Sequence, residues 1–232
     1  MTRLKAPIFL YTTRTKTGAF QELLGPWLQW VHIKVAPQFG EEESLGWNGY
    51  NQLFKSEFFW RGQDSNHIVI FQPDSLLIKP LELDNLAFGY AGAPWNKGRI
   101  TSQEFPSYNQ DGEWASNDWI SQSLCQTVPN STNGNGGLSI RNRALMQQIC
   151  SDHASQSPPE EAEDIFFAKH IHTPHYKAKL PSQGELRQLF NETSFADTHG
   201  FHGSWFYLDA SDQAKLYETH VKHVIGLLLA LS

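Results

Sequence analysis

The sequence predicts an α/β fold in which a mixed, mostly parallel sheet is flanked by helices. Short apolar runs bounded by polar residues are typical of buried strands, and segments between them repeat apolar residues at helical spacing. No low-complexity linker divides the 232 residues, of which 40% are hydrophobic and can fill one large core. We therefore expect a single domain over residues 1–232.

Strands and helices are expected to alternate along the chain. The predicted strands cover residues 8–11, 30–35, 67–71, 76–78 and 90–92. The predicted helices cover residues 18–24, 48–59, 141–150, 162–169 and 212–231. Residues 96–135 are rich in Ser, Asn, Gln and Gly, so we expect long loops there, and loops of that length are often functional.

Charge and hydropathy exclude several classes of protein. A net charge of −6 without a basic stripe argues against nucleic acid as the partner. The apolar runs at 8–11 and 224–231 are too short for a signal peptide or for the ~20 residues of a membrane span. Two cysteines are too few for a disulfide framework. We expect a soluble protein, cytoplasmic by default.

The segment Gln72-Pro73-Asp74-Ser75 follows a predicted apolar strand. Open α/β sheets place ligands at the carboxyl ends of strands, where loops line a crevice. A carboxylate displayed there can bind Mn²⁺ or Mg²⁺, which in turn contacts the diphosphate of a donor. A turn-forming aspartate would explain the same residues equally well.

Two further motifs have both a chemical and a structural interpretation. Asn135-Gly136-Gly137 precedes a predicted strand, and its missing side chains could let a substrate approach the backbone, although a tight turn needs the same residues. Glu160-Glu161-Ala162-Glu163-Asp164 opens a predicted helix, whose dipole favours ionised carboxylates. An ionised carboxylate can act as a general base, while helix capping is the structural alternative.

Histidines and tryptophans supply other candidates. His170, His172 and His175 are spaced closely enough for a zinc hydrolase site, although no His-Glu-x-x-His helix accompanies them. Exposed aromatic rings could stack on sugars, but aromatic residues more often fill cores. The tryptophans considered for stacking are Trp95, Trp114, Trp119 and Trp205.

The order of four motifs resembles the GT-A glycosyltransferase core, with its metal-binding aspartate, glycine loop, acidic helix start and late histidine. Here they are Gln72-Pro73-Asp74, Asn135-Gly136-Gly137, Ala162-Glu163-Asp164 and His202. Together with the segments 70–75, 90–95, 135–141 and 163–167, they look like a poorly characterised GT-A-like family, and the resemblance covers residues 27–205.

This resemblance implies a role for each matching residue. Asp74 and His202 would bind Mn²⁺ or Mg²⁺, and Asp164 would be the catalytic base, with Glu163 as the alternative. The residues implied in binding donor or acceptor are Gln72, Asp74, Ser75, Trp95, Asn135, Gly136 and Gly137.

The resemblance predicts metal-assisted transfer of a hexose from a nucleotide diphosphate sugar, with a UDP-sugar as the expected donor, to a glycan or other hydroxyl acceptor. A base at Asp164 would favour inversion of the anomeric centre. Gln72 departs from the family pattern, because it occupies the first acidic place of the usual Asp-x-Asp motif. This departure keeps open a non-catalytic carbohydrate-binding module on the same fold. The histidine cluster keeps open a second alternative, a metal-dependent hydrolase built on His170, His172 and His175.

Overall fold

The structure is a computed structural model and describes residues 7–36, 46–81, 87–94, 134–171 and 173–231. Its strands are β1 Ile8–Thr12, β2 Val31–Val35, β3 His67–Phe71, β4 Ser75–Leu77, β5 Tyr90–Ala93, β6 Asn135–Asn142, β7 Phe190–Asn191 and β8 Gly200–His202. Its α-helices are α1 Thr17–Leu24, α2 Gly46–Phe54, α3 Glu57–Arg61, α4 Arg143–His153, α5 Glu163–Ile171, α6 Gln183–Leu189, α7 Ser204–Tyr207 and α8 Ala210–Leu231. Short 3₁₀ turns lie at Arg14–Lys16, Gly25–Gln29, Ala154–Gln156 and Pro174–Tyr176.

The described strands form three small sheets, in the orders β1-β2, β3-β6-β5 and β4-β8-β7. The α/β class is confirmed, but the prediction of a mostly parallel sheet is wrong. Parallel pairing occurs between β1 and β2 and between β7 and β8, whereas β3-β6, β5-β6 and β4-β8 are antiparallel. Among the described strands, β1 and β2 are joined by a crossover through α1, whereas the parallel pair β7 and β8 consists of two and three residues joined by the segment 192–199.

The main core lies between the helices and one face of the β3-β6-β5 sheet. Trp60, Phe166 and Phe167 are fully buried there with Met146 and Ile149 from α4. The indole N–H of Trp60 satisfies its polar atom by donating to the carbonyl of Phe54 at 2.7 Å. The other face of the sheet packs through a smaller cluster of Ala93, Leu138, Ile140 and Phe190.

Several element boundaries differ from the prediction. The predicted helix at 141–150 begins instead at Arg143, because residues 141 and 142 complete β6 and Oδ1 of Asn142 caps the helix by accepting from Leu145 N at 3.0 Å. The predicted helix at 48–59 is divided into α2 and α3 at Lys55 and Ser56. Most of the predicted loop region 96–135, with Trp114 and Trp119, lies outside the described residues.

The C-terminal helix α8 is close to its predicted span of 212–231. Its backbone departs from helical geometry at His220, where φ is −125° and ψ is 32°. No helix in the described part of the chain is long and apolar enough to cross a bilayer.

Candidate functional site

The turn between β3 and β4 carries the predicted metal-binding aspartate and joins two of the sheets. It closes through a hydrogen bond from Ser75 N to Gln72 O at 2.9 Å, and Gln72 N donates to Gly137 O at 2.8 Å. The hydroxyl of Ser75 donates to the same Gly137 carbonyl at 3.1 Å. Asp74 is thereby held just beyond the carboxyl end of β3, with 30% of its side chain exposed.

His202, the last residue of β8, lies against this turn. Because β4 and β8 are antiparallel, Ser75 stands directly opposite His202. The ring atom Nε2 lies 3.4 Å from Asp74 Oδ1 and 3.1 Å from Gln72 Oε1, and Nδ1 lies 2.9 Å from Glu192 Oε1. Sheet pairing thus brings the two predicted metal ligands, Asp74 and His202, together from distant segments of the chain.

The atoms facing Nε2 of His202 are hydrogen-bond acceptors. Glu192 accepts a hydrogen bond from the N–H at Nδ1. In a neutral ring the lone pair on Nε2 would therefore point at the Asp74 carboxylate and the Gln72 amide oxygen. Such a cluster needs a positive charge at its centre, either a proton on Nε2 or a metal cation. Among the described residues, Oδ1 of Asp74 is buried without a hydrogen-bond donor, as expected of an oxygen that binds a cation.

Protonation satisfies the cluster when no metal is bound. Burial alone would lower the pKa of His202, but the 3.4 Å contact with Asp74, the hydrogen bond to Glu192 and the charges of both carboxylates raise it to about 9. Burial alone would raise the pKa of Asp74, but the contact with His202 lowers it below its ordinary value. At neutral pH the metal-free site therefore holds an imidazolium between two carboxylates.

Two glycines, Gly137 and Gly203, lack the side chains that would collide with residues packed at the site. A Cβ on Gly137 would lie less than 3.0 Å from Nε2 of His202. Gly203 has a φ of 52°, donates its N–H to Asp74 O at 3.1 Å, and would meet the ring of Tyr207 at 2.6 Å if it carried a Cβ. We expected Gly137 to make room for a substrate. The structure adds a second reason for glycine, since the site's own histidine fills that space.

A bulge in β6 forms the second half of the site. Gly92 of β5 pairs with Ser139, but the next residue, Ala93, pairs with Asn135. Residues 136–138 therefore have no ladder partner in β5. Bulges of this kind are common beside functional sites, because they redirect the backbone and its side chains.

Side chains bind the backbone groups that the bulge leaves unpaired. Gly136 N donates to Oδ2 of Asp164 at 3.1 Å, and Gly136 O accepts from the hydroxyl of Ser139 at 2.9 Å. The amide oxygen of Asn135 accepts from Gly137 N at 2.6 Å. The predicted glycine motif is thus a bulge whose polar groups are satisfied from several directions.

A buried ion pair supports this bulge from the core. Arg141 and Glu163 are 0% and 2% exposed, and both guanidinium nitrogens Nη1 and Nη2 bind the carboxylate, the latter at 2.8 Å from Oε1. Nη2 also donates to Gly136 O at 3.0 Å, and Nε donates to Ser139 Oγ at 2.9 Å. Burial would lower the pKa of Arg141, but the charge of Glu163 outweighs it and the pKa lies above its ordinary value. The guanidinium therefore stays charged.

Asp164 lies in the first turn of α5, next to this pair. Besides the bond from Gly136, its Oδ1 accepts from Ile165 N at 2.8 Å. Burial raises the pKa of Asp164 to about 7; the charge of Glu163 adds to the rise, while Gly136, Arg141 and Ile165 oppose it. A carboxylate that titrates near neutral pH suits a general base. Because Glu163 is occupied by Arg141, the geometry favours Asp164 over Glu163 in that role.

The two halves of the site meet at the dipeptide Gly136-Gly137. Gly136 binds Asp164, while Gly137 binds the turn that holds Asp74 and packs against His202. Every described residue that the GT-A resemblance implicates belongs to one of these halves. Trp95, also predicted to bind substrate, lies outside the described residues.

The histidines of the hydrolase alternative are arranged differently. His170 stacks on His153, with ring centroids 3.9 Å apart and planes 7° apart, and His175 lies 3.4 Å from the Gln148 amide. His172 is outside the described residues. Within the part of the chain that is described, no group of three or more His, Cys, Asp and Glu is placed to hold a metal. The Asp74–His202 pair offers two such ligands.

Sequence reasoning missed Glu192 and Arg141. Glu192 is 2% exposed and follows β7, which pairs with β8, so its contact with His202 becomes visible only once the strand pairing is known. Arg141 was expected to begin a helix and instead lies in β6, one residue before the end of the strand. The available signal was a charged residue directly after the apolar and small residues 136–140.

Comparison with known proteins places the chain in a family whose description names no activity. No curated protein and no solved structure matches the chain. Residues 36–202, more than half of the 232 residues, match a family described as "Protein of unknown function (DUF5672)", and this range contains both halves of the site. The chain therefore belongs to the DUF5672 family.

Proposed function

We propose that this chain is a GT-A-type glycosyltransferase that moves a hexose from a nucleotide diphosphate sugar, with a UDP-sugar as the expected donor, to a glycan or other hydroxyl acceptor. One observation carries the proposal. Adjacent glycines contact a carboxylate that titrates near pH 7 on one side and a carboxylate–histidine pair on the other. Sugar transfer needs both functions at one place, a base for the acceptor and a positive centre for the leaving diphosphate.

The position of the site within the fold supports this proposal. The β1–α1–β2 segment is a parallel strand–helix–strand unit, the type of unit that binds nucleotides in many α/β proteins. The Asp74 turn follows the carboxyl end of β3, and the site lies where the β3-β6-β5 and β4-β8-β7 sheets join.

The residues fit a divalent cation in part. Asp74 supplies an unsatisfied oxygen and His202 a nitrogen whose other ring position is fixed by Glu192, the arrangement common for metal-bound histidine. Two protein ligands suffice where a donor's phosphates complete the coordination, and a mixed oxygen and nitrogen set fits Mn²⁺ better than Mg²⁺. A cation bound there would offset the charge of the departing diphosphate.

Asp164 has the role of base in this proposal. An oxygen of its carboxylate takes the proton of the attacking hydroxyl, while the oxygen of that hydroxyl forms a bond to the anomeric carbon. The bond from that carbon to the phosphate oxygen breaks, and the nucleoside diphosphate leaves with the electron pair. Attack opposite the leaving group inverts the anomeric centre.

Gln72 favours one alternative, a non-catalytic carbohydrate-binding module. Its amide oxygen lies 3.1 Å from Nε2 of His202, so a protonated ring is already satisfied without a metal. The module would bind sugars with no requirement for Mn²⁺ and with no turnover. No observation in the described residues favours the histidine-cluster hydrolase over these two.

The test is a panel of nucleotide sugars, each incubated with the protein and an acceptor mixture with and without Mn²⁺. The proposal expects Mn²⁺-dependent release of nucleoside diphosphate from one donor class, and a rise in melting temperature with the matching free nucleotide. Sugar binding without release from any donor would support the binding module instead. No response to any nucleotide would overturn the proposal.

A further inference from the structure

We propose that the buried pair of Arg141 and Glu163 positions Asp164: the pair fixes the backbone of Gly136, whose N–H binds the Asp164 carboxylate. The inference rests on the proposed function, because it assigns Asp164 the role of base. It adds two residues that would not touch the substrate but would control the residue that does.

Asp164 belongs to a closed ring of contacts, made of hydrogen bonds and of the peptide bond between Glu163 and Asp164. Its carboxylate accepts from Gly136 N at 3.1 Å, and the oxygen of the same glycine accepts from Arg141 at 3.0 Å. Arg141 in turn binds both carboxylate oxygens of Glu163, the residue before Asp164. Movement of Asp164 relative to the glycine bulge would therefore have to break a bond in the buried ring.

Arg141 and Glu163, the two charged members of the ring, are both held by elements of the fold. Arg141 belongs to β6 and lies among aromatic rings, with Tyr90 at 4.7 Å from Cζ to the ring centroid. Glu163 begins α5, and its N–H donates to the amide oxygen of Asn51 in α2 at 3.1 Å. A Cβ on Gly136 would lie 2.7 Å from Nη2 of Arg141, so the pair also requires glycine at that position.

The cost of burying these charges indicates a role beyond stability. A buried ion pair is often no more stabilising than apolar side chains of the same volume. The pair does provide fixed geometry, and reacting groups need to be placed within a fraction of an ångström. Holding Asp164 against Gly136 is the placement that the Arg141–Glu163 contacts achieve.

The charged and titratable groups that face Asp164 define what the pair can change. Glu163 on the same helix is negative, Arg141 from β6 is positive, and the phenols of Tyr50 from α2 and Tyr90 from β5 interact with the same carboxyl. Burial raises the pKa values of both tyrosines well above their ordinary range, so neither carries charge near neutral pH. Removing Glu163 alone therefore changes the charge beside Asp164, whereas removing both members of the pair leaves the net charge unchanged.

The experiment uses two variants of the full chain, Glu163→Gln and the double variant Arg141→Met with Glu163→Leu. Glu163→Gln should lower the pKa of Asp164 by about one pH unit or more, because a neighbouring negative charge is lost. Titration of carboxyl carbons by NMR in aspartate-labelled protein measures this without a substrate. With an active donor, the acid limb of the kcat profile should move to lower pH by the same amount, with the donor KM unchanged.

The double variant tests positioning separately from charge, and apolar replacement of a buried pair keeps the fold intact in many proteins. It should lower kcat by roughly 10- to 100-fold through misplacement of the base, while Mn²⁺ binding measured by electron paramagnetic resonance stays at the wild-type level. Wild-type kcat in this variant would overturn the proposal.

Glu161→Gln is the matched control. Glu161 is also 2% exposed and ion-paired, with Lys169, but it does not contact Gly136. It should reduce stability without moving the Asp164 titration. An equal shift in Glu161→Gln and Glu163→Gln, or no shift in Glu163→Gln, would overturn the proposal. If no donor is turned over, the proposed function fails, but the NMR titration still decides whether the pair controls Asp164.

Discussion

The imidazolium at His202 gives the metal-free protein a specific dependence of stability on pH. Folding raises the pKa of His202 from 6.5 to about 9 through the carboxylates of Asp74 and Glu192. A group with a raised folded pKa stabilises the fold fully below its unfolded pKa and loses that contribution as pH rises through the folded pKa. At roughly 1.4 kcal/mol per pH unit, the loss between about pH 6.5 and about pH 9.5 amounts to about 3 kcal/mol.

The perturbation that isolates this contribution is the double variant His202→Gln with Glu192→Gln. Changing His202 alone would remove the positive charge beside the buried Glu192 carboxylate, so Glu192 is neutralised in the same variant, whereas Asp74 has 30% of its side chain exposed. Urea unfolding followed by tryptophan fluorescence, with a chelator present, gives the free energy of unfolding at both pH values. Wild type should lose about 3 kcal/mol more than the double variant over this interval, and His32→Gln, an exposed control, should behave as wild type. The same loss in wild type and the double variant would refute the acceptor cluster around Nε2.

Three further substitutions, the first with a matched control, test individual contacts by unfolding measurements. Gly137→Ala should lower the free energy of unfolding by about 1–3 kcal/mol, because the new Cβ collides with His202. Gly184→Ala is the control: its Cβ would meet its nearest neighbour at 4.0 Å, and it should raise the free energy of unfolding by about 0.4–1 kcal/mol. Equal effects of the two substitutions would contradict the packing around Gly137. Lys55→Met should cost about 1–3 kcal/mol, because the Lys55 ammonium donates to three carbonyls of the loop before α5, and a neutral result in urea would show that this loop needs no support. Burial against a second histidine lowers the pKa of His170 to about 4, so its contribution to stability is present above pH 6.5 and lost as pH falls towards 4. His170→Asn should make melting temperatures between those pH values less dependent on pH, and an unchanged slope would argue against a neutral, stacked ring.

Local patterns in the sequence were enough to place most strands. The runs at 8–11, 67–71 and 90–92 became β1, β3 and β5 with ends shifted by at most one residue, because a short apolar run between polar residues has few other stable conformations. Strand direction was not predictable in the same way. Antiparallel pairing of β6 with β3 and β5 joins segments far apart in sequence, and alternation of elements says nothing about such contacts.

The candidate site shows the same division between local and distant information. The positions of Asp74, Asp164 and the glycine motif were visible as short motifs, and the structure brings them together at one bulge. The partners that set their chemistry were not visible, because Arg141 reaches Glu163 across 22 residues and Glu192 reaches His202 from a neighbouring strand. Such contacts depend on packing, for which a single sequence carries no direct signal.

The central claim is that the residues on the two sides of Gly136-Gly137 have different roles, Asp164 as the base and Asp74 as a metal ligand. One comparison tests it most directly. Asp164→Asn and Asp74→Asn are assayed side by side for Mn²⁺-dependent binding of the donor nucleotide and for release of nucleoside diphosphate. The account predicts that Asp164→Asn binds the nucleotide as wild type does but turns over at least about 100-fold more slowly, while Asp74→Asn loses the Mn²⁺-dependent binding. Unimpaired turnover in Asp164→Asn, or unchanged Mn²⁺-dependent binding in Asp74→Asn, would contradict it.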